Sequence, residues 1–172
     1  MADTVEIINK VAQSNLISFD LEEYFPVEEI EMFDLKDFLF KGLILKEKDF
    51  RDALAQIDWK NYTGKYIAIT CSTDAIIPHW AYMLVSVYAQ PFAKGIYFGT
   101  KEEAIKIIYF KNLAAVDVEA FRDQRVVVKG CSDKPVPADA YVYITNILRP
   151  VAKSIMYGEP CSTVPLFKRK EN

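Results

Sequence analysis

Two segments in the second half of the chain each combine a short β-branched run with a stretch of helical spacing, which is typical of a parallel α/β sheet. Tyr66–Ile69 and Val126–Val128 are apolar throughout, as expected for strands buried on both faces. A helix of about 12 residues is predicted after each strand, and Pro91 or Pro150 is expected to stop it. A further helix over residues 101–113 is predicted to cover the sheet.

The two segments align with each other from end to end. Residues 65–99 (KYIAITCSTDAIIPHWAYMLVSVYAQPFAKGIYFG) match residues 125–158 (RVVVKGCSDKPVPADAYVYITNILRPVAKSIMYG) once one residue is skipped. We interpret the match as an internal duplication of a βαβ unit with parallel strands and a right-handed crossover. The matched residues include Cys71–Ser72 with Cys131–Ser132, Asp74 with Asp133, Pro78 with Pro137, Ala81–Tyr82 with Ala140–Tyr141, and Gly99 with Gly158.

The residues before the first repeat form a mixed α/β lead-in. The spacing of apolar residues predicts a helix over Val5–Val11 and a short strand over Leu16–Phe19. A helix is also predicted to begin at Asp34 and to end near Gly42, and another is predicted over residues 46–57. Their apolar faces are expected to join the core.

The chain has 172 residues, which is a normal size for one domain. We predict a single α/β domain over residues 1–172 with a largely parallel sheet built from the two repeats. Its parts are the lead-in (1–62), repeat one (65–99), repeat two (125–158) and a C-terminal tail (159–172). The basic cluster Lys168–Lys170 in that tail is interpreted as a solvated terminus.

The charge balance argues against binding to nucleic acid or to an anionic membrane. There are 21 basic and 24 acidic residues, so the net charge is −3 and no large basic field is expected. The start MADTVEIINK has no basic segment followed by an apolar one, so no signal peptide is expected. The apolar segment Trp80–Ala89 is shorter than the roughly 20 residues of a membrane-spanning helix. We therefore expect a soluble, cytoplasmic protein.

The three cysteines are the main candidates for chemistry. Cys71 and Cys131 each directly follow the first strand of a repeat, and Cys161 lies three residues after Gly158. Because ligands bind beyond the carboxyl ends of parallel strands, we expect all three thiols at one edge of one sheet. Three thiolates suit a soft metal, so we predict Cys71, Cys131 and Cys161 as ligands of zinc or an iron–sulfur cluster.

Polar residues beside the thiols are candidates for contacts to such a cofactor. Ser72, Asp74, Ser132 and Asp133 follow the cysteines, but capping of the next helix explains the same residues. A helix N-terminus at this point would also lower the thiol pKa. His79, the only histidine, is a further ligand candidate, although an exposed first-turn residue is the simpler interpretation.

Two other functions fit the same residues. The protein is an enzyme for sulfur transfer or redox chemistry if Cys131 or Cys71 is a nucleophilic thiolate. It is an interaction protein if the cysteines only fill the core. The 10 tyrosines and 11 phenylalanines suit either the core or a dimer face, so a homodimer is a further candidate. The glycine-rich nucleotide motifs, the G-x-S-x-G elbow and the H-E-x-x-H zinc motif are missing from the sequence.

Several long strings are similar to those of a known family. They are FDLKDFLFKGLILKEKDFR, ITCSTDAIIPHWAYML, VKGCSDKPVP and PVAKSIMYGEPCSTVPLFKRK. Over nearly its whole length the chain resembles an uncharacterised bacterial family, domain of unknown function number 2480. The resemblance implies no activity, but it implies a role near sulfur mobilisation and iron–sulfur assembly, whose genes lie near those of the family. It also implies that the position of His79 often carries threonine.

Overall fold

A computed structural model describes residues 16–130, 133–159 and 162–170. The chain folds as two compact units, and one of them interrupts the other in sequence. Unit 1 comprises Met1–Phe25 and Phe110–Asn172, and unit 2 is the continuous segment Pro26–Tyr109. A single domain over the whole chain stays a prediction.

Unit 2 is built on a parallel sheet of three strands, β2 (Ile30–Asp34), β5 (Tyr66–Thr70) and β6 (Gly95–Phe98), in the order β2-β5-β6. Helix α1 (Glu47–Gln56) precedes β5, and helix α2 (His79–Ala89) connects β5 to β6. Two short strands, β3 (Leu39–Phe40) and β4 (Ile44–Leu45), form a hairpin after β2.

Both faces of the unit 2 sheet are covered, which explains the continuous apolar run in β5. Ile67 and Ile69 pack with Leu54 of α1 and Val85 of α2 in one buried cluster. On the other face, Tyr66 and Ala68 pack against Ala104 and Ile108 from helix α3 (Lys101–Ala114). A parallel strand with helices on both sides has no face left for polar side chains.

Unit 1 contains a four-stranded sheet in the order β1-β7-β8-β9. Its strands are β1 (Leu16–Asp20), β7 (Arg125–Lys129), β8 (Ser154–Glu159) and β9 (Ser162–Lys168). The first three are parallel, whereas β9 pairs antiparallel with β8. Helix α4 (Ala138–Leu148) connects β7 to β8 and buries Ala140, Ile144 and Leu148.

Most of the predicted elements are confirmed. The strand at Leu16, the helix over 46–57 and the helix over 101–113 are present as β1, α1 and α3. The helix predicted from Asp34 to Gly42 is wrong, because a 3-10 helix over Leu35–Phe38 leads instead into the β3–β4 hairpin. Lys41 and Gly42, at φ of 53° and 72°, turn the chain there. The predicted helix at Val5–Val11 lies outside the described residues.

The C-terminal tail also differs from the prediction. Residues 162–168 form β9, and Arg169 is held in place rather than left as a solvated terminus. Its guanidinium donates to the carbonyl oxygens of Val151 at 2.6 Å and Ala152 at 3.1 Å, and it pairs with Asp123. Alternation in S-T-V-P-L-F-K is interrupted by a bulge next to Met156, so the strand pattern was weak in the sequence.

The prediction of a mostly parallel α/β fold is confirmed, but the prediction of one shared sheet is wrong. β5 belongs to the sheet of unit 2 and β7 to the sheet of unit 1. Each therefore pairs with a lead-in strand, β2 or β1, rather than with the other. The lead-in strands are only partly buried, with Phe19 buried in β1 and Ile30 and Phe33 in β2, so they lack the continuous apolar pattern of a central parallel strand.

The two units repeat the same backbone hydrogen bonds at one fixed spacing. The Gly64 N–H donates to the Phe92 carbonyl. The Asp123 N–H, which lies 59 residues after that of Gly64 (123 − 64), donates to the Val151 carbonyl, and Val151 lies 59 residues after Phe92 (151 − 92). Strand register agrees, since Ile67 pairs with Ile96 and Val126 with Ile155. The spacing needs no skipped residue, so the gap in the sequence alignment was wrong.

The correspondence extends to the strands that begin each unit. Phe19 in β1 lies opposite Val128, and Phe33 in β2 lies opposite Ile69. The next residue in each case is an aspartate, whose carboxylate accepts an N–H bond at 3.0 Å from the residue two positions later. Each strand therefore leads into the same capped 3-10 helix.

Candidate binding cleft and the cysteine positions

A cleft of about 620 Å³ lies at the carboxyl ends of β7 and β8 in unit 1. This is the edge of a parallel sheet at which α/β proteins bind ligands. The side chains around it are mostly apolar, and Lys134 is the charged residue among them. It is lined by Val128, Gly130, Lys134, Pro135, Val136, Ala138, Tyr141, Thr145, Tyr157 and Leu166.

Tyr141 holds the floor and one wall of the cleft together. Its hydroxyl donates to the Gly130 carbonyl at 2.7 Å, and its ring meets that of Tyr157 edge to face at 5.8 Å between centroids. Glycine is required at position 130, since a Cβ there would lie 2.9 Å from Leu21 Cβ and 3.1 Å from Tyr141 Oη. Close approach of α4 to the end of β7 thus depends on the missing side chain.

The buried residue Glu22 anchors the loop that forms the next wall. Its carboxylate oxygens accept from the Asp133 N–H at 3.2 and 3.3 Å, and its carbonyl accepts from Lys134 Nζ at 2.9 Å. The Lys134 ammonium also lies 5.5 Å from the centre of the Phe25 ring. The 3-10 helix after β1 therefore fixes where Lys134 stands at the cleft.

An ion pair marks the same edge of the unit 1 sheet. Lys129 Nζ, at the end of β7, lies 2.9 Å from a carboxylate oxygen of Asp20, at the end of β1. Burial by itself raises the pKa of Asp20, but the hydrogen bonds from Lys129 and from the Glu22 N–H outweigh it and hold the pKa below its usual value.

In unit 2 an aspartate joins two strand ends in a different way. Asp34, at the end of β2, accepts the Ser72 N–H at 3.0 Å, and the Ser72 side chain adds a second bond. Lys36 Nζ lies 3.2 Å from the same carboxylate. Although burial raises the pKa of Asp34, these bonds from Ser72 and Lys36 lower it to about 2.

Cys71 lies in the loop that follows β5, eight residues before the start of α2. The residue is half-buried, and its Sγ lies 3.7 Å from the Thr73 carbonyl oxygen. Helix α2 begins only at His79, with Pro78 as its N-cap and no side-chain cap bond. Cys71 is therefore not one of the first residues of α2, and an effect of the α2 N-terminus on this thiol stays a prediction.

The capping roles expected for the neighbouring polar residues are wrong. Ser72 bonds to Asp34, Asp74 is exposed, and Asp133 uses its backbone N–H on Glu22. Both helices begin at the residue after a proline, which is the N-cap and has no side-chain acceptor to offer. His79 is the exposed first residue of α2. Contacts of Ser72, Asp74, Ser132 or Asp133 to a cofactor stay a prediction.

The argument that gathered the three thiols at one sheet edge is wrong. Cys71 follows β5 in unit 2, whereas Cys131 follows β7, which is a strand of unit 1. By the fixed spacing, the counterpart of Cys71 is Gly130 and not Cys131. Cys131, Ser132 and Cys161 lie outside the described residues. Within residues 16–130, 133–159 and 162–170, histidine, cysteine and acidic residues form no group of three that could hold a metal.

Comparison with known proteins agrees with the resemblance in the sequence. A family model with the description "Protein of unknown function (DUF2480)" matches residues 5–169. The chain belongs to the DUF2480 family. No curated protein and no solved structure matches it. None of the helices in the described residues has the length and apolar character needed to span a bilayer.

Reasoning from the sequence missed most of the cleft in this DUF2480 member. Tyr141 was visible only as a match to Tyr82, and Tyr157 as the end of a strand. Leu166 has no signal in the sequence, because the sequence pattern of residues 162–168 does not predict a strand. Glu22 stood in an acidic stretch that favours a solvated loop, and only the fold of β1 beside β7 buries it.

Proposed function

We propose that the protein is a binding protein whose ligand site is the cleft of unit 1. The observation that carries the proposal is an apolar cleft at the carboxyl edge of a parallel sheet, of a volume typical of small-molecule sites. Tyr141 fixes one wall of the cleft and Glu22 fixes the loop at Asp133, so the site is formed before a ligand arrives.

The lining suggests a ligand with an apolar body and one anionic group. Val128, Val136 and Leu166 offer apolar contact, and the Tyr141 and Tyr157 rings favour an aromatic or broad aliphatic body. An ammonium has three N–H donors, and the bond from Lys134 to the Glu22 carbonyl uses one of them. The other donors are suited to a carboxylate or sulfonate at the rim.

We also propose that units 1 and 2 arose by duplication of one βαβ unit with its preceding strand. The repeated hydrogen bonds and strand registers support this, as does the Tyr–aromatic contact made by Tyr82 with Phe98 and by Tyr141 with Tyr157. The duplicate sites have diverged, since unit 2 carries Cys71 in place of Gly130 and has no described strand in the place of β9. Binding is accordingly assigned to unit 1.

The thiol functions remain proposals from the sequence. One is a zinc or iron–sulfur site formed by Cys71, Cys131 and Cys161, with iron–sulfur assembly proteins as partners. The other is a sulfur-transfer or redox enzyme that uses Cys131 or Cys71. The sequence position of Cys131, directly after the cleft residue Gly130, favours a role for that thiol near the ligand.

Titration with anilinonaphthalene sulfonate, which has an aromatic body and one anionic group, tests the proposal. We expect saturable fluorescence enhancement by the wild type, and Leu166→Glu should weaken binding by about tenfold or more through charge in an apolar wall. Val164→Glu is the matched control, because Val164 lies on the same strand at 56% exposure against 54% for Leu166 but does not line the cleft. Equal binding by Leu166→Glu and Val164→Glu would contradict the proposal.

A further inference from the structure

Strand β6 forms an edge of the unit 2 sheet without the features that usually protect edges. Among the described residues it pairs with β5 alone. Gly95–Thr100 contains no charged residue and no proline. Exposed strand edges are normally blocked by such residues, because unpaired N–H and C=O groups recruit further strands.

Unit 1 shows what covers the corresponding edge. β8 occupies the place of β6, and β9 pairs antiparallel along it. In that pairing Val164 lies opposite Tyr157, and Phe167 lies opposite Ile155. By the fixed spacing of 59 residues, Tyr157 corresponds to Phe98 and Ile155 to Ile96 (157 − 98 and 155 − 96). A strand that covers β6 in the same way presents apolar residues opposite Phe98 and Ile96.

We propose that a second copy of this chain supplies that strand, and that the two β6 strands pair antiparallel about a twofold axis at Tyr97. This register places Phe98 of one copy opposite Ile96 of the other. A second β6 strand therefore presents apolar residues opposite Phe98 and Ile96, as β9 does along β8. Gly95 lies opposite Gly99, so small residues meet at both ends of the pair. The interface is isologous, which is the commonest form of symmetric dimer, and cross-strand apolar pairs stabilise it.

The side chain of Phe98 in β6 lies at the surface that such a dimer covers. Phe98 is 68% exposed, although its ring packs edge to face on Tyr82 of α2 at 5.2 Å. In the proposed pair the exposed part of this ring packs on Ile96 of the other copy, so an exposed apolar side chain at an open sheet edge becomes covered.

Sedimentation velocity over a concentration series tests the dimer in the full-length protein. We expect the wild type to dimerise reversibly. The dimer of Phe98→Lys should be at least tenfold weaker, because each introduced ammonium group would be buried opposite Ile96 of the other copy. Val164→Lys, on the edge strand of unit 1, is the control and should dimerise as the wild type does. A monomeric wild type, or an unchanged dimer of folded Phe98→Lys, overturns the proposal.

Cysteine cross-linking tests the register and does not depend on the stability of Phe98→Lys. Tyr97→Cys should form an intermolecular disulfide through residue 97, since facing Cα atoms in antiparallel pairs lie within disulfide range. Ile96→Cys should not link to itself, because its partner is Phe98. Peptide mapping by mass spectrometry distinguishes these bonds from those of the three native cysteines. Failure of Tyr97→Cys to cross-link, or equal cross-linking of both variants, overturns the register.

Discussion

The Tyr141 hydroxyl donates a 2.7 Å hydrogen bond to the Gly130 carbonyl and so ties helix α4 to the end of strand β7. Gly130 is buried, so its carbonyl depends on this donor. Thr145, one turn further along α4, donates to the Tyr141 carbonyl at 2.6 Å. The cleft wall is thus part of a hydrogen-bonded unit rather than a loose side chain.

Replacing Tyr141 by phenylalanine should destabilise the protein by about 1–2 kcal/mol, because a buried carbonyl loses its partner while the ring remains. Urea unfolding followed by circular dichroism measures the change. Tyr82→Phe is the control in unit 2, since in the described residues the Tyr82 hydroxyl makes no hydrogen bond to the carbonyl of Cys71, which stands in the place of Gly130. An equal loss in both variants would show that the hydroxyl bond does not matter.

A substitution at Glu22 tests how the loop at Asp133 contributes to ligand binding, separately from the cleft wall at Tyr141. Glu22→Gln replaces one of two acceptor oxygens facing the Asp133 N–H by an amide donor. We expect the loop to shift and the affinity for anilinonaphthalene sulfonate to fall by about fivefold to tenfold. Glu23→Gln, at the adjacent exposed position, should bind as the wild type does. Wild-type affinity in Glu22→Gln would mean that the anchor does not set the cleft.

The helices and strands of the two repeats were predictable from the sequence, whereas the pairing of the strands within the sheets was not. The β-branched runs at Tyr66 and Val126, and the prolines that bound α2 and α4, are local signals of strand and helix. The choice of β1 and β2 as sheet partners depends on long-range packing, so the sequence suggested one sheet for β5 and β7, which lie in different sheets. The cysteines then seemed to converge, because their convergence rested on that single sheet.

The lowered pKa of Asp34 predicts that acid reduces the stability of unit 2. Its pKa is about 2 in the folded protein against a usual value of 3.8, so the stability it contributes is present above about pH 4. That stability is lost as the pH falls through about 2. After screening by solvent we expect a contribution of about 1 kcal/mol.

Asp34→Asn should therefore reduce stability near neutral pH and make little difference at pH 2. Urea midpoints measured from pH 2 to pH 7 should converge for wild type and variant at the acid end. Asp37→Asn, an exposed carboxylate in the same 3-10 helix, is the control. A constant gap between wild type and Asp34→Asn at all pH values would show that ionisation of Asp34 is not the cause.

Cys71 should not affect ligand binding in the cleft, because it is not among the residues that line it. Titration with anilinonaphthalene sulfonate should give Cys71→Ser the same affinity as the wild type, and weaker binding would contradict this expectation. Metal analysis of anaerobically purified wild type and of Cys71→Ser, Cys131→Ser and Cys161→Ser tests the three-cysteine site. Loss of a ligand from a shared thiolate site removes most of the metal, so equal loss from all three variants would establish that site.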